Sequence, residues 1–277
     1  MKYKLGVIGD PIDHSLSPKI HNIFAKQTGI NIDYQAYHVL SENLDSFIKD
    51  FFKNGGHGLN VTLPHKTDCL HLAWNIPSHI GFIGAANTLG YIKGEEKITV
   101  DSTDGKGLVQ DLKDKFKLWN SNVLILGAGG AALSIIPDIE LSAPSNIILD
   151  NRSQEKIQLL IDRFDKEDDP AKGLRHKIVH IDNFEGNIDL VINATSAGFS
   201  GSFEWHRDLN VNSKTVFYDL SYSNSEEQTP FLRWASQYSD NCYDGFGMLV
   251  KQAALSFFYW TRRNPDTKIT KSDLFDD

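Results

Sequence analysis

Val123-Leu124-Ile125-Leu126-Gly127-Ala128-Gly129-Gly130-Ala131-Ala132 carries the densest structural signal in the chain. Four consecutive apolar residues suit a short strand buried on both faces, as in a parallel sheet covered by helices. The glycines that follow open a turn into a helix, and Gly127-x-Gly129-x-x-Ala132 matches the dinucleotide-binding fingerprint in its alanine-terminated form. Gly127 permits the tight turn, Gly129 lets a pyrophosphate approach the backbone, and Ala132 allows close packing of helix on strand. Amide donors and the positive end of the helix dipole then serve the phosphates. The bland alternative is that small residues merely pack a helix on a strand. The strand directly before the turn favours the nucleotide reading.

The same alternation extends in both directions. A helix runs from the turn toward Leu141, and Pro137 is expected to bend it or to end a short first segment. Residues 147–150, 177–181, 189–194 and 216–219 read as further strands, with a helix at 157–164, which predicts a doubly wound sheet. Toward the N-terminus, residues 4–9, 34–39 and 59–63 read as strands. Between the first two, Ser17 and Pro18 are expected as N-cap and first residue of a helix. Leu44, Phe47, Ile48, Phe51 and Phe52 mark an amphipathic helix stopped by Gly55 and Gly56. Strands separated by helices at this spacing predict parallel β-α-β units. A last helix is expected over 247–264, where Val250, Ala253, Ala254, Phe257 and Phe258 fall at helical spacing before Asn264-Pro265.

Composition narrows the partners. At 277 residues the chain is long enough for two domains, and 28 basic against 36 acidic side chains give a net charge of -8. That balance supplies no footprint for nucleic acid. The uncharged stretch 119–137 is broken by three glycines and makes a poor membrane span, and the apolar run 5–9 is too short for a signal-peptide core. Cys69 and Cys242 form no disulfide framework, which fits a reducing cytoplasm. The expected partner is therefore a small molecule, with neither nucleic acid nor membrane involved.

The strand after the glycine turn ends at Asp150-Asn151-Arg152-Ser153. A carboxylate there would bind a ribose 2′-hydroxyl of NAD, whereas an arginine beside a hydroxyl suits the 2′-phosphate of NADP. Both signals are present; Arg152 favours NADP, with NAD the lesser expectation. A nicotinamide enzyme also needs a group that moves the proton on the substrate oxygen. Lys66 is the candidate, because it follows Asn60-Val61-Thr62-Leu63-Pro64-His65, in which Asn60 and Thr62 share a side by the period of two. Ser15-Leu16-Ser17-Pro18, Asn87-Thr88 and Asp101-Ser102-Thr103-Asp104-Gly105 fall at element boundaries, where loops present side chains to a cleft. Ser17, Asn87 and Asp104 also read as cap, turn former and cap, roles compatible with ligand contact.

With these segments in view the chain resembles the shikimate dehydrogenase family, the shikimate/quinate dehydrogenases. The resemblance rests on residues 9–18 (GDPIDHSLSP), 60–66 (NVTLPHK), 86–89 (ANTL), 103–105 (TDG), 127–131 (GAGGA), 151–153 (NRS), 193–196 (NATS) and 244–249 (DGFGML), in the family's order across nearly the whole chain. It implies an α/β fold with a substrate-binding catalytic domain at 1–104, completed by a C-terminal helical segment 246–277 that packs back on it. A Rossmann-type NADP-binding domain at 105–245 follows, with the active site in the groove between. It also implies NADPH-dependent reduction of 3-dehydroshikimate to shikimate, in aromatic amino-acid biosynthesis, without a metal, by a monomer or homodimer.

Carried over by position, the resemblance makes Lys66 and Asp104 the catalytic pair, with the Lys66 ammonium donating the proton. Ser15 and Ser17 are the expected carboxylate-binding serines. Asn60, Thr62, Asn87, Asp104 and Gln252 are expected to hold ring hydroxyls or position Lys66, and Tyr222 stands near the carboxylate. Gly127, Ala128, Gly129, Gly130, Ala131, Asn151, Arg152, Ser153, Thr195, Gly245 and Met248 are the expected cofactor contacts. Two departures stand out: Ser102 replaces an asparagine usual before Thr-Asp-Gly, and Leu133 replaces an arginine usual just after the glycine turn. The second removes a positive charge near the phosphates, and Asp150 adds a negative one. Competing readings are a dual quinate/shikimate enzyme using NAD, and a nucleotide-binding sensor without catalysis.

Overall fold

The computed structural model describes residues 1–167, 178–195, 201–223 and 227–275. Lys177, expected to open a strand, and Ser196, in the 193–196 motif, lie outside the described residues. Two units are distinguished, Met1–Gly107 with Leu249–Asp277, and Leu108–Met248.

The first unit begins with β1 (Tyr3–Gly9), α1 (Ser17–Thr28), β2 (Ile32–His38), α2 (Leu44–Lys53) and β3 (Gly58–Val61). α3 (Ser78–Ile83), β4 (Thr88–Ile92) and β5 (Lys97–Asp101) follow, and α4 (Asp104–Leu112) begins directly after. Its sheet has the order β2-β1-β3-β4-β5. β1 pairs in parallel with β2 and β3, as the helix-separated spacing predicts, but β4 is antiparallel to both β3 and β5. The reversal at residues 93–96, where Glu96 takes a positive φ of 52°, is too short for the crossover a parallel pair needs. Ser17 is the first residue of α1 rather than its cap: Leu16 before it is already helical and no side chain caps the helix. Leu44, Ile48, Phe51 and Phe52 of α2 are buried with Ile8, Leu59 and Val61 of the sheet. Each such fully buried side chain contributes roughly 1.5–3 kcal/mol relative to exposure.

The second unit contains β6 (Asn122–Leu126), α5 (Gly130–Glu140), β7 (Asn146–Asp150), α6 (Gln154–Glu167) and β8 (Ile178–His180). It continues through β9 (Leu190–Asn193), β10 (Val216–Asp219), α7 (Pro230–Ala235) and β11 (Cys242–Tyr243). All described pairings are parallel, in the order β11-β10-β9-β6-β7-β8. This is the doubly wound dinucleotide-binding order, with its switch point between β6 and β9. Val123, Leu124, Ile125 and Leu126 are each 0% exposed, as a strand covered on both faces requires. α5 carries Pro137 within it and continues to Glu140, so the proline ends no first segment. α8 (Phe246–Thr261) is the last α-helix among the described residues.

Candidate active site

In the first unit, Lys66 Nζ donates to Asp104 Oδ2 at 2.7 Å, with side chains 28% and 10% exposed. Lys66 sits in the turn after β3, where its carbonyl accepts from the Ala86 N–H at 2.8 Å. Asp104 opens α4. Asn87 orients the carboxylate: its Oδ1 accepts from the Thr103 N–H at 2.9 Å, which turns Nδ2 toward Asp104 Oδ1 at 2.8 Å. That amide nitrogen also faces Thr103 Oγ1 at 2.8 Å and Gln252 Oε1 at 3.2 Å. Gln252 on α8 donates from Nε2 to the Leu249 carbonyl, leaving Oε1 for Asn87. A side chain on Gly107 would run into Gln252, so α4 and α8 meet closely beside the acid-base pair. One exposed edge of a lysine is thereby held against a carboxylate that the buried network fixes in place.

A second layer continues inward. Asn60 Nδ2 donates to the Asn87 carbonyl at 3.1 Å and to Ser256 Oγ at 2.9 Å, and Asn60 Oδ1 accepts from the Tyr34 hydroxyl at 2.8 Å. Ser256, 0% exposed, also shares a 2.7 Å hydrogen bond with Thr88 Oγ1. Both Asn60 N–H groups are thus engaged in holding the Asn87 strand end. Sequence reasoning missed Ser256 and Tyr34 as parts of this network, and named Thr103 only within the 101–105 segment. The available signal was Gln252 and Ser256 four residues apart, two polar side chains on one face of a mostly apolar helix. Ser256→Ala removes one hydrogen-bond partner from the Asn60 amide and one from the Thr88 hydroxyl, which keep their bonds to Asn87, and is expected to lower stability by about 1–3 kcal/mol in a denaturant titration.

Ser15 and Ser17 stand together at the start of α1, with the Ser17 N–H donating to Ser15 Oγ at 3.3 Å; Ser17 is buried and Ser15 half-buried. Thr62 is half-buried just past β3, with its N–H on the Ile8 carbonyl at 2.9 Å. The first unit therefore holds eight of the expected site residues: Ser15, Ser17, Asn60, Thr62, Lys66, Asn87, Asp104 and Gln252. Tyr222 lies in the second unit, half-buried and just beyond β10.

The second unit places the glycine turn at the switch point. Gly127 has φ +108°, and a Cβ there would stand 3.0 Å from the Ala194 carbonyl oxygen and from Thr195 Cγ2, so the turn needs glycine on both counts. Gly129 and Gly130 have open space where a side chain would be, and they open the eleven-residue α5. This exposed backbone at a helix N-terminus fits a pyrophosphate. Thr195 is tied down by Asn193, whose Oδ1 accepts from its N–H and hydroxyl at 3.1 and 2.7 Å. Asn193 Nδ2 in turn donates to buried Asp219, whose carboxyl burial pushes up to about 6. Gly245, buried, donates its N–H to the Ser221 carbonyl, and Met248 is half-buried at the start of α8. Asn151 Nδ2 reaches the Ser153 carbonyl at 3.1 Å, and Arg152 is exposed. Asp150 is not presented to a ribose: it is 0% exposed and engaged by Trp205, His206 and Arg207.

A doubly wound unit with an open glycine turn, together with a unit that fixes a lysine on a carboxylate among amides and hydroxyls, defines a dinucleotide-dependent oxidoreductase. A family model described as the shikimate dehydrogenase substrate binding domain matches residues 7–89. The chain belongs to the shikimate dehydrogenase family. It is 39% identical to a shikimate dehydrogenase (NADP(+)) of Vesicomyosocius okutanii subsp. Calyptogena okutanii, over 98% of this chain and 99% of that one. Identity to the protein of the same name from Marinobacter nauticus is 36%, covering 97% and 96%. The crystal structure of shikimate 5-dehydrogenase from Thermus thermophilus, in complex with NADP(H) and shikimate, is 26% identical with a TM-score of 0.81, covering 99% of this chain and 98% of that one.

Proposed function

We propose that this chain catalyses the reversible, NADP-dependent reduction of 3-dehydroshikimate to shikimate in aromatic amino-acid biosynthesis, in the cytoplasm. The observation that carries the chemistry is the 2.7 Å contact between Lys66 Nζ and Asp104, held by Asn87. Gly127, Ala128, Gly129, Gly130 and Ala131 would hold the pyrophosphate, Asn151, Arg152 and Ser153 the adenosine 2′-phosphate, and Thr195, Gly245 and Met248 the remainder. When bound, NADPH supplies the hydride for the ketone carbon.

The Lys66 ammonium hydrogen-bonds the ketone oxygen and gives up its proton as that oxygen gains charge, so that C=O becomes CH–OH. Asp104 keeps the ammonium aimed, and the partly exposed lysine recovers its proton from water. Ser15 and Ser17 hydroxyls bind the substrate carboxylate with Tyr222, while Thr62, Asn87, Gln252 and Asn60 hold or support the ring hydroxyls. A cyclohexene acid with vicinal hydroxyls needs such partners, because a site built to hydrogen-bond a hydroxyl rejects analogues lacking it.

Initial rates with shikimate and quinate, each against NADP+ and NAD+, test the assignment. Shikimate with NADP+ is expected to be fastest; preference for quinate with NAD+ would replace it with a dual-specificity enzyme, and tight cofactor binding without turnover would point to a sensor. Arg152→Ala is expected to weaken NADP+ binding by about tenfold to a hundredfold, the worth of a charge-assisted contact of 1.5–3 kcal/mol, while sparing NAD+. Equal losses for both cofactors in a calorimetric titration would remove Arg152 from the 2′-phosphate site.

A further inference from the structure

Asp150 ends β7, the strand whose C-terminal end sets the ribose contact in doubly wound dinucleotide sites. A carboxylate there ordinarily hydrogen-bonds a 2′-hydroxyl and repels a 2′-phosphate. In this chain its Oδ2 accepts from Trp205 Nε1 at 2.7 Å and lies 3.2 Å from Arg207 Nε. Its Oδ1 has no hydrogen bond within strict geometry, but His206 Nε2 stands 3.4 Å away. Arg207 Nη1 also pairs with Asp182, just after β8, so one guanidinium ties together the ends of β7 and β8. Three consecutive residues from the segment after β9 thus converge on one fully buried carboxylate. The stacking of Trp205 on Phe203, with ring centroids 6.0 Å apart, anchors that segment to the core of the unit.

We propose that Trp205, His206 and Arg207 form a clamp that sets dinucleotide preference: by holding the Asp150 carboxylate inside the unit, they leave the 2′ position able to accept a phosphate. The clamp rests on the NADP reading above and gives it a cause that Arg152 alone does not. Without it, an unpaired carboxylate at the end of β7 is costly to keep buried, and it turns outward toward the ribose. There it would bind a 2′-hydroxyl and oppose a 2′-phosphate. Arg207 acts in this way through Asp150, as a positioning residue.

The test is calorimetric binding of NADP+ and NAD+ to the full chain without shikimate, so that it reads the clamp independently of turnover. Arg207→Ala is expected to lower the NADP+ over NAD+ preference by at least about tenfold, equivalent to 1.4 kcal/mol. Trp205→Phe, which removes one donor and keeps a ring, should shift it in the same direction by less. Asp150→Asn is expected to leave the preference unchanged, because the charge it removes is already hidden. Asp150→Asn combined with Arg207→Ala should restore the wild-type preference, a rescue that loss of a merely structural contact would not show. An unchanged preference in Arg207→Ala overturns the proposal, as does a preference that stays lost in the double variant, which would put Arg207 directly on the phosphate. Should Arg207→Ala fail to fold, a tenfold gain in NADP+ preference in Asp150→Asn, or none of the expected shift in Trp205→Phe, overturns it equally. Wild-type protein that prefers NADP+ but does not turn over shikimate would sink the proposed reaction and not the clamp.

Discussion

Lys66→Ala is expected to reduce kcat for shikimate oxidation by about 10²- to 10⁴-fold, the usual worth of a positioned general acid-base group. The dissociation constant for NADP+ should stay close to that of the wild type, because Lys66 and its partners Asp104 and Asn87 all belong to the first unit and the glycine turn belongs to the second. Lys66→Arg separates charge from proton transfer. Arginine keeps the positive charge near Asp104 but does not release a proton under ordinary conditions. It should therefore be nearly as slow as alanine. Substantial activity in Lys66→Arg would reassign the residue to electrostatic stabilisation of the oxyanion, and loss of cofactor affinity in either variant would displace it from the substrate site.

Acid is expected to destabilise the protein through His21. The ring is 0% exposed, stacked on Tyr34 at 4.2 Å, and packed against Phe24, Phe257 and Trp260. Neither ring nitrogen has a hydrogen-bond partner among the described residues; Asn60 is near enough to favour the charged form slightly, but its amide is committed to other groups. Burial holds the imidazole neutral and brings its pKa down to about 3 from 6.5. The unfolded chain then binds a proton that the folded chain refuses. The stability due to neutral His21 is complete above pH 6.5 and is lost as pH falls toward 3: about 2 kcal/mol by pH 5 and about 5 kcal/mol at the limit. Denaturant titrations at pH 7.5 and pH 5 measure it, as the difference between wild type and His21→Phe. The phenylalanine variant keeps an aromatic ring and should lose that part of the acid sensitivity. An identical pH dependence in both proteins would mean that His21 takes up its proton without unfolding.

Much of this architecture is legible in the sequence wherever one local rule acts alone. The run 123–126 specifies a strand covered on both faces, and all four side chains are fully buried. The α2 stripe works equally well, because helical periodicity and burial coincide there. β4 and β5 were missed because a short antiparallel pair next to three parallel strands is set by the tight reversal at 93–96 and by pairing with β3, a contact that no local pattern encodes. Ser17 failed as a cap for a similar reason: Leu16 turns into the helix first. Among site residues, Lys66, Asp104 and Asn87 are brought together as the motifs imply. Asn87, which alone reads as a turn former, proves to be the hub of the buried hydrogen bonds. Asp150 shows the limit of position-based reading. Its place at the end of β7 suggests a ribose ligand, but the groups that occupy it come from Trp205, His206 and Arg207, more than fifty residues along the chain.

The most direct measurement follows the transferred atom. NADPH carrying deuterium at the transferable position of the nicotinamide is mixed with 3-dehydroshikimate and the purified protein, and the product is examined by NMR. One deuterium per molecule of shikimate, on the carbon that held the ketone, is the predicted result; shikimate free of label, or no conversion while the cofactor is bound, would contradict it.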